Sequence, residues 1–122
     1  MKQSLERKID TLKKELERDL SVITNNSIYN GISWFIRHNS KTAFQNEWLL
    51  SEFEFLYKDI DRCTKEEILD YINDRIDKCT DKLLSGKVIH YNTNPMQNLT
   101  EMWEFEIYPH YIKELNSLKG LL

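Results

Sequence analysis

KQSLERKIDTLKKELERDLSVIT, residues 2–24, decides the fold class. Its apolar residues Leu5, Ile9, Leu12, Leu16, Leu20 and Ile23 recur at steps of 4, 3, 4, 4 and 3. The mean step is helical, about 3.6 residues, so one apolar stripe runs along a helix of about six turns. Six basic and five acidic side chains fill the other faces, among them Arg7, Lys8, Lys13 and Lys14 against Glu6, Asp10, Glu15 and Glu17. That alternation reads as a salt-bridged surface. The stripe itself must be buried against other helices or against a second copy of the chain.

Downstream the helical period returns in pieces. Ile28, Ile32, Phe35 and Ile36 share one side of a short segment ending at His38, with Trp34 off the stripe. Gly31 weakens helix there by about 1 kcal/mol relative to Ala. A third helix is expected from a cap at Thr42 to about Arg62, with Leu49, Phe53, Leu56 and Ile60 as its stripe. Phe44, Trp48, Phe55 and Tyr57 broaden that apolar face. Thr64 and Glu67 form a capping box for a fourth helix carrying Ile68, Ile72, Ile76, Cys79 and Leu83, and Gly86 is its natural stop. Residues 87–94 read as irregular or as a short strand. Asn94-Pro95 starts the next helix, a cap followed by proline at the first helical position; it carries Met96, Leu99, Trp103 and Ile107. Pro109 has no N–H and crowds the carbonyl of Phe105, so a break or kink is expected there. A final helix then runs through Tyr111, Ile112, Leu115 and Leu118 to Gly120. The expectation is an all-α, single-domain bundle of five to six helices over residues 1–122, with a long N-terminal amphipathic helix.

Composition narrows the function. At 122 residues the length suits one domain, and 40% hydrophobic content is too high for a disordered chain. A formal net charge of -3 argues against a general nucleic-acid binder, which carries a basic footprint. Charges interrupt the N-terminus too often for a secretory signal, and no stretch approaches the roughly 18 apolar residues of a membrane span. Cys63 and Cys79, sixteen residues apart, make neither a C-x-x-C pair nor half a zinc ribbon. A cytoplasmic protein with two free thiols is the expected reading. The chain has 12 Lys to 5 Arg and 12 Ile to 2 Val. That skew fits an AT-rich coding sequence of the kind common in low-GC bacteria and mobile elements, an association rather than a physical argument.

Motifs for chemistry are missing. Three isolated glycines cannot cradle a phosphate. There is no G-x-S-x-G elbow and no H-E-x-x-H pair. His38, His90 and His110 come from separate segments, and Pro109 interrupts the one helical ligand pair, Glu106 and His110, so neither a metal nor another cofactor is expected. Cys63 precedes a helix N-terminus, a position that lowers a thiol pKa, but no histidine lies near it in sequence. Cys79 falls on an apolar stripe, where a thiol acts as a small hydrophobe.

Two features stand above this background. Glu66, Asp70, Asp74, Asp77 and Asp81 step by 4, 4, 3 and 4, two residues out of phase with the apolar stripe of the same helix. Two residues rotate a helix by about 200°, so these carboxylates line the face opposite the core. Residues 65–85 hold six acidic against four basic side chains, with Arg75, Lys78 and Lys82 alongside the ridge. The second feature is the run from Glu101 to Tyr111, where Trp103, Phe105, Tyr108 and Tyr111 interleave with Glu101, Glu104 and Glu106 and with no Lys or Arg. Trp103 and Phe105 diverge by about 200° on one helix, so some aromatic surface is expected to serve as an interface anchor or as a second layer of the domain. The charge is of the wrong sign for stacking nucleic acid.

The expected function is a non-enzymatic protein-binding module that occupies a basic surface, concretely an inhibitor or immunity protein neutralising a toxin or nuclease. Its expected partner-binding residues are Glu101, Trp103, Glu104, Glu106 and Tyr108, with Glu66, Asp70, Asp74, Asp77 and Asp81. Two other readings compete. One is a structural or regulatory homo-oligomer paired through the stripe on residues 5–23. The other is an enzyme with an unfamiliar site built from His90, Tyr91 and glutamates.

Overall fold

The computed structural model describes residues 1–26, 37, 39–85 and 94–122, the side chains of 22–26 excepted. Four long helices account for nearly all of these: α1 (Lys2–Asn26), α2 (Ser40–Asp59), α3 (Lys65–Leu84) and α4 (Pro95–Lys119). The protein is an all-helical bundle, with no strand among the described residues. The expected helix from Ile28 to His38 lies outside the described residues except for Arg37, and so do Gly86 and residues 87–93.

Helix starts follow side-chain chemistry at two of the expected places. Thr64 accepts from the Glu67 backbone N–H at 3.2 Å, and the Glu67 carboxylate accepts from the Thr64 N–H at 3.5 Å, completing the box. Asn94 Oδ1 accepts from the N–H groups of Met96 and Gln97. The start of α2 differs from expectation. The helix begins at Ser40, Asn39 is its N-cap, and no side chain caps it. Thr42 is already inside the helix.

Pro109 does not end its helix. α4 continues through it, and the two expected helices are one, which reduces the count. The missing bond and ring crowding cost about 3 kcal/mol. Ile107 and Tyr108 on one side, and Tyr111, Leu115 and Leu118 on the other, are buried in one continuous register. Burial of each such side chain is worth about 1.5–3 kcal/mol, which offsets the proline several times over. Pro109 itself faces solvent.

α2 packs against α1 and α4, and α3 packs against α4. The core joins Leu5, Ile9 and Leu12 of α1 to Leu49, Phe53 and Leu56 of α2, to Ile68, Ile72 and Cys79 of α3, and to the α4 set. Two departures from the expected stripes are informative. Leu20 is 51% exposed, whereas Asp19 is only 4% exposed. The inward seam of α1 therefore steps 5, 9, 12, 16, 19 (Leu16 half-buried, the others buried), a 3.5-residue period, and the apolar sequence steps 5, 9, 12, 16, 20. A helix lying along one long partner follows the shorter period, and the two patterns part after Leu16. Phe55 was expected on the apolar face of α2 but is 57% exposed.

Candidate functional site

The five carboxylates of α3 stand where their spacing puts them. Glu66, Asp70, Asp74, Asp77 and Asp81 are all exposed, and Ile68, Ile72 and Cys79 on the opposite face are buried. From Glu66 to Asp81 the ridge is about 22 Å long, at about 1.5 Å per residue. Asp74 pairs with Lys78 at 3.0 Å. Glu66, Asp70, Asp77 and Asp81 have no ion-pair partner among the described residues. Four carboxylates on one exposed helix face thus lack a direct ion-pair partner among the described residues, with Lys78 and Lys82 alongside as the nearby exposed cations, and the face carries a net negative charge.

The acidic and aromatic residues of α4 are largely used inside the protein. Tyr108 is buried and donates from its hydroxyl to Glu104 Oε1 at 2.8 Å, while Lys82 Nζ donates to the same hydroxyl at 3.2 Å. Burial first, then the Glu104 hydrogen bond and charge, push the Tyr108 hydroxyl pKa up. Trp103 is half-buried, its ring 5.9 Å from that of Phe44, and its carbonyl accepts from Gln45 Nε2 at 3.0 Å. Glu106 is exposed and pairs with Lys41 of α2. Glu101 is half-buried and accepts from Gln97. These five residues are therefore dispersed. Trp103 and Glu106 reach toward α2, whereas Tyr108 lies between α2 and α3, its ring 5.8 Å from Trp48 and its hydroxyl held by Lys82 and Glu104. Tyr108 belongs to the core and offers no anchor surface.

A polar cluster that the sequence reading did not single out ties three helices together. Glu52 of α2 accepts from Arg75 Nη2 of α3 and from the Tyr111 hydroxyl of α4, each at 2.9 Å. Arg75 and Glu52 are 24% and 20% exposed as side chains. Trp48 meets Tyr111 edge-on at 5.0 Å. Burial drives the Tyr111 pKa up, reinforced by the charge of Glu52. Burial pulls Arg75 down, but the Tyr111 hydrogen bond and the Glu52 charge outweigh it, and the net shift is upward. The signal was present: Arg75 lies three residues after Ile72 and four before Cys79, on the buried stripe.

Both cysteines are free thiols with raised pKa values. Cys79 is buried and its thiol is pushed up chiefly by burial. Cys63 was placed where a helix N-terminus lowers a thiol pKa; instead burial, followed by the charges of Glu67 and Asp59, raises it. Among the described residues no group of three metal-ligating side chains comes together. His110 is exposed, 4.0 Å from Glu114. His38, His90 and Tyr91 lie outside the described residues.

Cavities among the described residues include two beside these features. An open groove of about 380 Å³ runs between α1, α2 and α4, past the Lys8–Glu114 ion pair. A smaller one of about 60 Å³ lies between α2 and α3, walled by Phe55 and Tyr71. No helix among the described residues is long and apolar enough to cross a membrane. The chain matches no protein-family model, no curated protein and no solved structure. Fold and site together define a helical bundle with one acidic helix face.

Proposed function

We propose that this chain is a non-catalytic protein-binding module whose α3 ridge docks on a basic surface of another protein. The concrete version is an inhibitor or immunity protein that covers the basic active-site cleft of a toxin or nuclease, working in the cytoplasm. The observation that carries the reading is the row of exposed carboxylates on α3, four of them without an ion-pair partner among the described residues. Complementary charge speeds encounter and selects the partner more than it deepens affinity. The dispersed glutamates of α4 shift the weight of the interface from α4 to α3. Leu5, Ile9 and Leu12 are already buried in the chain's own core, so the competing homo-oligomer reading rests on the later part of the stripe, where Leu16 is half-buried and Leu20 exposed.

The test replaces Asp70, Asp74, Asp77 and Asp81 together by Asn. Glu66 is kept because a carboxylate in the first turn favours the helix. Wild type and variant, both checked for helicity, are used as baits in the native host and the captured proteins are quantified. The reading expects a basic protein held by the wild type and lost from the variant. Equal capture by both baits, or a wild-type partner with an acidic binding face, rejects it.

A further inference from the structure

The cavity between α2 and α3 has the chemistry of a side-chain receptor. Its floor is buried aliphatic surface, Leu56 and Ile68. Its walls are the rings of Phe55 and Tyr71, 5.8 Å apart and tilted by 31°. Phe55 is the most exposed aromatic side chain among the described residues and is not accounted for by the core. Asp59 and Glu67 line the same cavity; Glu67 is exposed, Asp59 half-exposed, and neither has an ion-pair partner among the described residues. The adjoining Cys63 thiol is raised first by burial and then by the charges of Glu67 and Asp59.

A guest that satisfies floor, walls and rim must be apolar along its length and cationic at its tip. An aliphatic chain ending in a primary ammonium fits: methylenes against Leu56 and Ile68, the cation between carboxylates and near aromatic faces. The free volume of about 60 Å³ holds about two water-sized groups at roughly 30 Å³ each, so it takes the end of a chain and leaves the rest along the rim. A lysine side chain beyond its Cα has five heavy atoms. An arginine is longer, and its broad planar guanidinium needs more room than this cavity gives. The position also fits, because Glu67, Asp70, Tyr71 and Asp74 follow the i, i+3, i+4, i+7 spacing of one helix face. The cavity therefore flanks the N-terminal half of the ridge.

We infer that this cavity receives a lysine side chain of the basic partner. The inference rests on the docking role of α3 given above and adds an anchor to it. Charge on the ridge steers the partner in, and one lysine fixes its register.

The first probe is n-butylammonium, the lysine side chain without its backbone, titrated against the isotope-labelled chain by NMR. n-Butanol is the uncharged control. The double variant Asp59→Asn/Glu67→Gln keeps the capping box, which accepts Gln as readily as Glu. The expected result is a saturable shift confined to Phe55, Tyr71 and Cys63. It should be weaker by about fivefold for butanol and for the double variant, the scale of an exposed ion pair. A diffuse shift, or an equal response to butanol, overturns the assignment. The second arm measures partner capture by the same double variant. If ridge neutralisation abolishes capture and Asp59→Asn/Glu67→Gln leaves it unchanged, the docking role stands and the lysine anchor falls. If butylammonium binds as described while ridge neutralisation changes nothing, the cavity is a cation receptor and the docking role of the ridge is what fails.

Discussion

Replacing Glu52 by Leu strands two groups at once. Arg75 loses its only anionic partner within hydrogen-bond reach among the described residues, and the Tyr111 hydroxyl loses its acceptor at 2.9 Å. Breaking a fully buried pair from one side costs about 3–5 kcal/mol. The side chains here keep 20–24% exposure, so water recovers part of that and about 2–3 kcal/mol remains. At about 2.1 cal/mol/K per residue, 122 residues unfold with an entropy of about 0.26 kcal/mol/K, which makes the loss about 8–12 °C in Tm. The triple variant Glu52→Leu/Arg75→Met/Tyr111→Phe removes every member together and leaves nothing unpaired. It should return to within about 1 kcal/mol of wild type, because an apolar replacement of a whole network is nearly neutral. Urea unfolding at pH 7 reads both, with a constant m-value as the check on two-state behaviour. A loss below about 0.5 kcal/mol for Glu52→Leu, the level of an ordinary surface change, would show that the cluster is not holding α2, α3 and α4 together. So would single-variant losses that simply add up in the triple.

Other outcomes follow from the same geometry. Pro109→Ala restores an N–H in the middle of a continuous α4 and should raise stability by about 1–3 kcal/mol by thermal unfolding; a neutral or destabilising result would place a break in the helix. Asp19→Leu puts an apolar side chain where the seam of α1 buries a carboxylate oxygen that has no hydrogen-bond partner among the described residues. It should stabilise by about 1–3 kcal/mol, and a loss would mean that Asp19 is paired in solution. Tyr108 and Tyr111 have raised pKa values in the folded chain. Their contribution is intact below the ordinary tyrosine pKa of about 10, where both states are protonated. Above it the unfolded chain loses protons that the folded chain keeps, so stability falls as pH rises. Each tyrosine accounts for about 1 kcal/mol between pH 10 and 11, and Tyr108→Phe and Tyr111→Phe should each flatten that slope by this amount. An unchanged slope contradicts their burial.

Residues with a regular period were the legible part of this fold. The stripes Leu5–Ile9–Leu12, Leu49–Phe53–Leu56 and Ile68–Ile72–Cys79 are buried as their spacing requires, and the two side-chain caps at Thr64 and Asn94 are made. Failures came where tertiary packing outweighs a local rule. Pro109 is tolerated because burial on both sides of it exceeds its local cost. Asp19 is buried because the seam follows the partner helix rather than the helix's own apolar pattern. Thr42 is not the cap of α2, since nothing in its local pattern fixes where tertiary contacts let the helix begin. The α3 ridge was readable because it needs only one helix and its phase. The dispersal of Trp103, Glu104, Glu106 and Tyr108 was not, because it depends on which neighbouring helix each one meets. The cavity at Phe55 and Tyr71 has no linear signature at all, being made from the faces of two helices.

The proposed role of the α3 carboxylates is to steer a basic partner onto this chain. The most direct measurement is the association rate of the captured partner, by stopped flow, for wild type and for the Asp70, Asp74, Asp77 and Asp81 to Asn variant at low and high salt. Steering predicts a wild-type rate that falls steeply with ionic strength, a variant slower by about 10–100-fold at low salt, and convergence of the two once screening is complete. Equal rates at low salt, or a wild-type rate indifferent to salt, would contradict it.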